Sequence, residues 1–440
     1  MKKVKLKEVL KNYKNKHMIQ NDKTYRQVTI SQTGEISFRG EKHGTKIGRK
    51  RQFLIDLKKH PNTLIFIRQG VMKGGIGICP PEVDGCVVTE NMPMFEIVGV
   101  EPDYLLNFIK SPMFKEDVSK LVPIGTAQKA LHENKLLEIE IPYPSKEKQK
   151  EIVKKIQSIE KEIKQLENKS SYDKTLLTSL RQSILSEAIQ GKLIKQNPKD
   201  EPASELLKKI KAEKEKLIKE GKIKKQKELP VISEDEIPYD LPSGWVWCRL
   251  GEVCWINPRN NGLDNNLEVS FIPMNLIKDN ARNSFEQQIK KWGVIKSGFT
   301  HFSEEDVIFA KITPCFQNRN SAILRNLKNK YGAGTTELYV LRGYGKLILT
   351  EFLFLLVNTK NFIDKGVATY KGTAGQQRIK RNFVENYIIG LPPLPEQKRI
   401  VEKVDALMRF CDELEERIKE NKVNSDGLMN GVLREIFESK

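Results

Sequence analysis

Basic and amide side chains in three loop segments are the residues of this sequence whose types and spacing could do chemistry. The first segment is the glycine-spaced stretch FRGEKHGTKIGRKR, and two further loops follow in the second half of the chain. Arginine and lysine bind guanine and phosphate, while asparagine and glutamine pair with adenine, so these residue types predict base recognition in DNA. The candidates are Arg39, Lys42, Lys46, Arg49, Lys50, Arg51, Lys311, Gln317, Asn318, Arg319, Lys371, Gln376, Gln377 and Arg378.

Each candidate also has a simpler interpretation, as a solubilising surface charge or as part of the loop's own structure. Gln376 and Gln377, for example, could simply order a turn. The charge balance favours the functional interpretation, because 76 basic residues against 57 acidic ones give a net charge of +19. Residues 1–75 alone hold 19 basic and 5 acidic residues. A local excess of this size favours a polyanionic partner, and nucleic acid fits better than an acidic membrane.

Two long helices are the elements expected to position these loops. Apolar residues recur at alternating steps of four and three, and the second helix repeats the first at a constant distance of 248 residues. This spacing keeps one stripe of an α-helix facing a partner helix, so we predict long helices at about 145–190 and 395–437. The predicted coiled-coil interface consists of Ile152, Ile156, Ile159, Ile163, Leu166, Leu177, Leu180, Ile184, Ile400, Val404, Leu407, Leu414, Ile418, Leu428 and Val432.

Both apolar stripes become polar in the middle, at Ser170 and Asp173 and again at Asn421 and Ser425. We interpret the two helices as antiparallel partners, with the polar centre fixing their register. A proline-rich entry precedes each helix, and a Gly/Gln loop at 125–128 or 375–378 stands 17 residues before its proline. The pattern therefore predicts a duplicated module of globular segment, loop, proline hinge and helix.

The predicted fold class is α+β, with two globular mixed α/β domains joined by two long antiparallel coiled-coil helices in a pseudo-two-fold internal repeat. Apolar runs predict strands at 64–67, 96–100, 269–272, 306–310 and 337–341, and a short helix is expected at 104–114. A lysine-rich helix within 198–229 also contains many glutamates, which favours packing on a neighbour over DNA contact. The predicted segments are a first globular domain (1–141), the first long helix (142–192), the lysine-rich helix and linker (193–240), a second globular domain (241–391) and the second long helix (392–440).

The motifs that catalysis would require are missing from the sequence. Neither Pro-Pro pair forms the tetrapeptide of an amino-methyltransferase, and no Gly-Lys-Ser/Thr loop of an ATP-driven motor occurs. The glycines of QGVMKGGIGIC predict a tight turn rather than a phosphate site. Six cysteines and five histidines show no zinc-binding spacing and fit a reduced cytoplasm. We expect no secretory signal, no membrane span, no catalytic or metal site, and no cofactor in this chain.

Several stretches resemble the DNA-specificity subunit of Type I restriction–modification enzymes. They are LPPLPEQKRIVEKVDALM (391–408), DEPASELLKKIKAEKEKLIKEGKIKK (200–225) and LPSGW (241–245). FIPMNLI (271–277), DVIFAKITPCFQN (306–318) and GAGTTELYVLR (332–342) resemble a recurring type of target recognition domain. The first globular segment departs from this pattern, because it lacks the LPxGW opening and its helix entry is PYPSKEKQ.

The resemblance implies a cytoplasmic, non-catalytic subunit that recognises a bipartite asymmetric target in double-stranded DNA. It further implies two modification subunits bridged by this chain and two restriction subunits, with S-adenosylmethionine, ATP and magnesium bound by those partners. The length of the two helices, on the order of 65 Å for about 45 residues, would set an unread gap in the target. Two alternatives remain, a coiled-coil scaffold without a DNA role and an enzyme acting alone. The amino-terminal charge argues against the scaffold, and the missing motifs argue against the enzyme.

Overall fold

The computed structural model describes residues 2–31, 33–48, 51–71, 74–121, 131–373 and 375–438. The chain forms two compact units. One contains Met1–Tyr172 together with Ile418–Lys440, and the other contains Asp173–Arg417. We call them the first and second unit. Two long helices each begin in one unit and end in the other, so the unit boundaries fall inside these helices.

The first unit consists mainly of short strands and short helices that precede the first long helix. Its strands are β1 (Lys3–Lys5), β2 (Leu10–Tyr13), β3 (Lys16–Met18), β4 (Thr24–Ile30), β5 (Ile36–His43), β6 (Arg51–Leu54), β7 (Thr63–Phe66), β8 (Ile76–Ile78), β9 (Val87–Val88), β10 (Met94–Ile97) and β11 (Glu140–Pro142). Its helices are α1 (Leu6–Val9), α2 (Pro102–Lys110), α3 (Pro112–Leu121), α4 (Glu133–Leu136) and the first part of α5 (Lys146–Ile189).

Three sheets make up the first unit. Strands β1 and β11 form a pair, a four-stranded sheet has the order β2-β10-β7-β8, and a five-stranded sheet has the order β3-β6-β9-β4-β5. All four residues of β7 are buried, which explains the apolar run that predicted a strand there. Its side chains alternate between two apolar clusters, with Leu64 and Phe66 in one and Ile65 in the other. This alternation is the period-two pattern of a strand with both faces covered.

The single helix predicted at 104–114 is wrong, because the structure has two helices, α2 and α3, in this region. Ser111 separates them in an extended conformation, with φ −67° and ψ 152°. Proline disfavours the α-helical region for the residue before it, so Pro112 ends the first helix and begins the second. The Ser111 hydroxyl then donates a hydrogen bond to the Phe108 carbonyl oxygen at 2.6 Å.

The second unit contains the lysine-rich helix, a second set of sheets and the first part of the second long helix. The strands are β12 (Val246–Arg249), β13 (Cys254–Ile256), β14 (Glu268–Ile272), β15 (Gln288–Lys291), β16 (Thr300–Ser303), β17 (Val307–Ala310), β18 (Ser321–Ile323), β19 (Tyr331–Gly334), β20 (Leu338–Gly343) and β21 (Ile388–Leu391). The helices are α6 (Ala203–Lys219), α7 (Leu250–Val253), α8 (Trp292–Ile295), α9 (Thr350–Val357), α10 (Lys360–Val367), α11 (Arg381–Asn386) and α12 (Leu394–Glu438).

The second unit repeats the strand order of the first, except that β3 extends one sheet of the first unit by a strand. Strands β12 and β21 pair as β1 and β11 do, and the sheet β13-β20-β17-β18 corresponds strand by strand to β2-β10-β7-β8. Strand β14 pairs in parallel with β19 and antiparallel with β15, just as β4 pairs in parallel with β9 and antiparallel with β5. Strand β16 pairs antiparallel with β19, as β6 does with β9. Apart from β3, a fifth strand in one sheet of the first unit, each unit therefore contains the same arrangement of sheets, followed by the start of one long helix.

A buried glutamine anchors the start of each long helix in the same way. The side-chain nitrogen of Gln149 donates to the Pro144 carbonyl oxygen at 2.9 Å, and its side-chain oxygen accepts from the Glu101 backbone amide at 2.8 Å. The side-chain nitrogen of Gln397 donates to the Pro392 carbonyl oxygen at 3.1 Å, and its side-chain oxygen accepts from the Leu349 backbone amide at 2.8 Å. Both side chains are fully buried. The glutamine thus closes the proline hinge and ties the helix to its globular part.

The long helices have nearly the bounds expected from the heptad pattern, Lys146–Ile189 for α5 and Leu394–Glu438 for α12. Helix α5 stops before Gly191, whose φ of +69° suits the residue that follows a helix. In the second unit, Arg181 of α5 forms an ion pair with Asp412 of α12 at 2.6 Å. In the first unit, Ile152 and Ile156 of α5 lie in one apolar cluster with Phe437 of α12.

The predicted inward stripe is buried only in part. Leu166, Leu180 and Leu428 are 51%, 41% and 52% exposed. In the last two turns of α12, Leu433 and Phe437 are buried, while the predicted Val432 is half-buried. The other predicted positions are buried or half-buried: Ile152, Ile156, Ile159, Ile163, Leu177, Ile184, Ile400, Val404, Leu407, Leu414 and Ile418.

The lysine-rich helix α6 packs on the second unit, as its alternating glutamates indicated. Its apolar residues Ala203 and Ile210 are fully buried. Lys211 pairs with Glu252 at 3.0 Å, and the Lys214 ammonium donates to the Gly251 carbonyl oxygen at 3.2 Å. The prediction that α6 is a packed helix is confirmed. Across the part of the chain that the structure describes, no helix is long and apolar enough to cross a membrane.

Candidate nucleic-acid interface

Two of the six residues predicted in the first unit, Arg39 and Lys42, lie on an edge hairpin. Strands β4 and β5 pair antiparallel, and β5 is the outermost strand of its sheet. Arg39 and Lys42 on β5 and Lys46 just after it are exposed. Arg49 and Lys50 lie outside the described residues, and so does the side chain of Arg51 on β6. Three of the six candidates are therefore exposed cations on β5 or shortly after it.

A bulge shapes this hairpin. The register of the two strands shifts between Gln27 and Val28, opposite Gly40, whose φ is +131°. Glycine adopts such a conformation at little energetic cost, and a bulge increases the local twist of a strand pair. The major groove of DNA can accommodate a two-stranded antiparallel ribbon, so the exposed part of this hairpin has a suitable shape for base contacts.

Arg26 in the same hairpin was not among the sequence candidates, and its guanidinium is hydrogen-bonded within the protein. It donates to the carbonyl oxygens of Asp84 at 2.9 Å and Glu82 at 2.6 Å. It also lies over the Phe38 ring, 5.0 Å from the ring centroid. Arg26 therefore braces the hairpin against the segment before β9, and the exposed charges of Arg39 and Lys42 are the ones available for a ligand.

In the second unit, the structure brings two of the predicted loops together. The loop after β17 contains Lys311, Gln317, Asn318 and Arg319, and the Gly/Gln loop before α11 contains the other four candidates. The Ile379 amide donates to the Lys311 carbonyl oxygen at 3.0 Å, and the Thr313 amide donates to the Gln377 carbonyl oxygen at 2.9 Å. The Gln377 amide also donates to the Thr313 hydroxyl at 3.1 Å. Both loops therefore lie at the end of the sheet where β17 ends and β20 begins.

Two arginines predicted to contact DNA already have protein partners. Arg378 forms a bidentate ion pair with Glu337, with distances of 2.8 and 2.9 Å, and this hydrogen-bonded carboxylate raises the pKa of Arg378. Arg319 donates to the Asn358 carbonyl oxygen at 3.1 Å and to the Gln182 side chain at 3.4 Å. Burial lowers the pKa of Arg319. Both guanidinium groups hold loops in place, which leaves other cations at this edge for a ligand.

The candidate cations and amides left at this edge are Lys311, Lys371, Gln317, Asn318 and Gln376, and Lys371 is exposed. Lys311 is half-buried, with its ammonium 5.6 Å from the centroid of the Tyr339 ring. Lys371 lowers the pKa of the neighbouring Lys380 through a hydrogen bond and through its positive charge. Gln317, Asn318 and Gln376 are exposed. This mixture of crowded positive charge and free amides suits phosphate and base contacts.

A third loop, residues 278–284, joins the same edge and was not among the sequence candidates. The Asn280 amide donates to the Asn318 carbonyl oxygen at 2.7 Å, and the Ala281 amide donates to the Arg319 carbonyl oxygen at 3.2 Å. The only sequence signal for this loop is its polar composition, KDNARNS, which many solvent-exposed loops share.

No group of three or more His, Cys, Asp or Glu side chains arranged for a metal ion occurs among the described residues. Burial raises the pKa of the Cys79 thiol to about 12 and that of Cys254 still higher. Thiols in such apolar surroundings are poor nucleophiles and poor metal ligands.

Comparison with known proteins finds a family model that is similar to part of the chain. Residues 242–424 match the family described as "Type I restriction modification DNA specificity domain". The specificity subunit of the Type I restriction enzyme EcoAI from Escherichia coli is 49% identical over 241 residues, which are 55% of this chain and 41% of that protein. The chain thus spans less than half the length of this curated relative.

Solved structures share the fold. The HsdS subunit from Thermoanaerobacter tengcongensis superposes with a TM-score of 0.55 at 18% identity, covering 100% of this chain and 96% of that one. A chain from a structure concerning complex assembly and conformational transition of the type I R-M system gives a TM-score of 0.63 at 18% identity, covering 99% of this chain and 96% of that one.

Proposed function

We propose, from the premise that this chain carries a Type I restriction–modification DNA specificity domain, that the whole chain is the DNA-binding specificity subunit of such a system. One observation carries the proposal. Apart from the additional strand β3 in the first unit, both units repeat the same strand order and the same glutamine-anchored helix start, while their exposed loops differ in sequence. A shared scaffold with unlike loops is suited to recognising two different short DNA sequences.

The target we propose is bipartite and asymmetric. The hairpin with Arg39 and Lys42 would contact one half, and the loops around Lys311 and Lys371 would contact the other. The two regions occupy different places in the shared fold, since one is an edge strand and the other lies at the end of the central strands. Because α5 and α12 each continue from one unit into the other, their length would set an unread gap between the halves. Ser170, Asp173, Asn421 and Ser425 would fix the helix register.

The partners we propose are double-stranded DNA, two modification subunits and two restriction subunits. The partner subunits would bind S-adenosylmethionine, ATP and magnesium and carry out methylation and cleavage, while this chain would act without catalysis in the cytoplasm. Leu166, Leu180 and Leu428 on the long helices are exposed apolar side chains that such partner chains would cover.

Measuring duplex affinity against salt distinguishes this function from a coiled-coil scaffold without a DNA role. A chain contacting six to ten phosphates should lose about a thousandfold or more in affinity between roughly 50 and 200 mM salt. Replacing Lys311 or Lys371 with alanine should reduce the slope of log affinity against log salt by about one each. Lys208→Ala is the matched control, because Lys208 is exposed on α6 and paired with Glu205 at 2.8 Å. Binding absent at every salt concentration would support the scaffold instead.

A further inference from the structure

Three loops form one edge of the second unit. In the two loops that sequence analysis identified, both arginine side chains already have protein partners. Arg319 is held by Asn358 and Gln182, and Arg378 is held by Glu337. A bidentate contact from arginine to guanine is the commonest specific contact in the major groove. If this edge reads bases in that way, the guanidinium must come from another segment.

Loop 278–284 is firmly attached to that edge. Besides the bonds from Asn280 and Ala281 to the loop after β17, the Lys278 amide donates to the Ser284 carbonyl oxygen at 3.0 Å. The side-chain oxygen of Asn283 accepts from the Ile323 amide at 2.7 Å. The Asn320 side chain donates to the Ile277 carbonyl oxygen at 2.8 Å. Five hydrogen bonds therefore fix the loop at its base and at its tip.

The backbone of this loop adopts a conformation that non-glycine residues rarely use. Asn280, Ala281 and Asn283 have φ values of 56°, 56° and 49°. Asparagine tolerates this left-handed region, but alanine has no side chain that stabilises it. Such residues cost on the order of 1–3 kcal/mol each and persist only where surrounding contacts hold them, which is common at ligand sites. The loop is thus held in one shape despite its strain.

Arg282 lies at the tip of this loop and is exposed. Its backbone amide donates to the Asp279 carbonyl oxygen at 3.4 Å. Among the described residues, its guanidinium has no hydrogen-bond or ion-pair partner. We infer that Arg282 is a specificity-determining residue that contacts guanine in the half-site recognised by the second unit. The inference rests on the proposed function, since it requires a DNA target.

The test is selection of target sequences from a randomised duplex library by the full-length chain and two variants. Arg282→Ala should weaken the preference for one guanine in one half-site by about 5- to 150-fold, the usual range for one bidentate contact, and leave the other half-site unchanged. Arg282→Lys keeps the positive charge but loses the planar pair of donors, so it should lose most of the same preference while keeping the salt dependence of binding.

Lys346→Ala is the matched control. Lys346 is an exposed cation in the same unit that follows the far end of β20, whereas the three loops lie near its first residue, Leu338. Its removal should leave both half-sites unchanged. An Arg282→Ala chain that selects the wild-type target with undiminished preference would overturn the inference while leaving the proposed function intact. A wild-type chain that selects no sequence would overturn both.

Discussion

Replacing Phe437 with alanine is expected to lower the free energy of unfolding of the first unit by about 3–5 kcal/mol. Phe437, in the last turn of α12, is 1% exposed. Its ring centroid lies 5.3 Å from that of Tyr104 and 5.5 Å from that of Phe108, both on α2. Truncation removes these aromatic contacts and leaves a cavity that the rigid neighbours cannot fill. Hydrogen exchange of first-unit amides during denaturant titration measures the loss.

Phe410→Ala is the control for this change, because Phe410 lies on the same helix in the second unit and is 54% exposed. It should change the stability of either unit by less than about 0.5 kcal/mol. Equal losses for the two variants would show that the end of α12 is not packed into the first unit. Under the proposed function, a first unit that releases α12 should also bind its half of the DNA target less tightly.

Arg342→Met is expected to destabilise the second unit by about 3–5 kcal/mol at neutral pH. Arg342 donates two hydrogen bonds to Asp306, both of 2.7 Å, and the Asp306 side chain is only 1% exposed. Methionine keeps the length of the side chain but leaves a buried carboxylate without its cation. Chemical denaturation of the full chain, followed by tryptophan fluorescence, measures the change.

The loss of stability caused by Arg342→Met should become smaller as the pH falls. Burial already raises the pKa of the Asp306 carboxyl, and the Arg342 guanidinium opposes that rise. Without Arg342, the pKa of folded Asp306 lies further above the unfolded value of about 3.9, so the folded variant binds a proton first and gains stability on acidification. A neutral carboxyl costs less to bury than a carboxylate.

Arg325→Met provides the matched control for Arg342→Met. Arg325 pairs with Glu305 at 2.9 Å and also with Glu351, but all three side chains are partly exposed, at 44%, 53% and 31%. Water screens such a pair, so its loss should change stability by no more than about 1 kcal/mol. A pH-independent loss for Arg342→Met, or an equal loss for Arg325→Met, would contradict the role assigned to burial.

The large elements were predictable because their signals are periodic and local. Heptad spacing predicted both long helices to within one residue at each end. The residue pattern of the proline-rich entries predicted a hinge, although it did not show that Gln149 and Gln397 close it. That function depends on amides 48 residues earlier in the chain, at Glu101 and Leu349, which no local pattern reveals.

The candidate binding residues were less predictable, because a side chain can contact DNA only if residues distant in the sequence do not already bind it. Arginine is a residue type that commonly contacts DNA. However, the Arg378 guanidinium is bonded to Glu337, and that of Arg319 is bonded to Asn358 and Gln182. Arg282 has the same residue type in an ordinary polar loop, and only the folded structure places it at the edge with Asn318. The end of α12 shows the same limit, since the heptad pattern favoured Val432 whereas Leu433 and Phe437 are buried by α2 and its neighbours.

The most direct test of the central proposal, that the long helices set the gap between two unlike DNA half-sites, is to shorten both helices. Seven residues would be removed from each, 166–172 and 421–427, all within the first unit. Target selection from a randomised duplex library would then compare the shortened and full-length chains. We predict a bipartite target with two unlike halves for the full-length chain, and the same halves with a different gap for the shortened chain. An unchanged gap, or a single undivided target for the full-length chain, would contradict the claim.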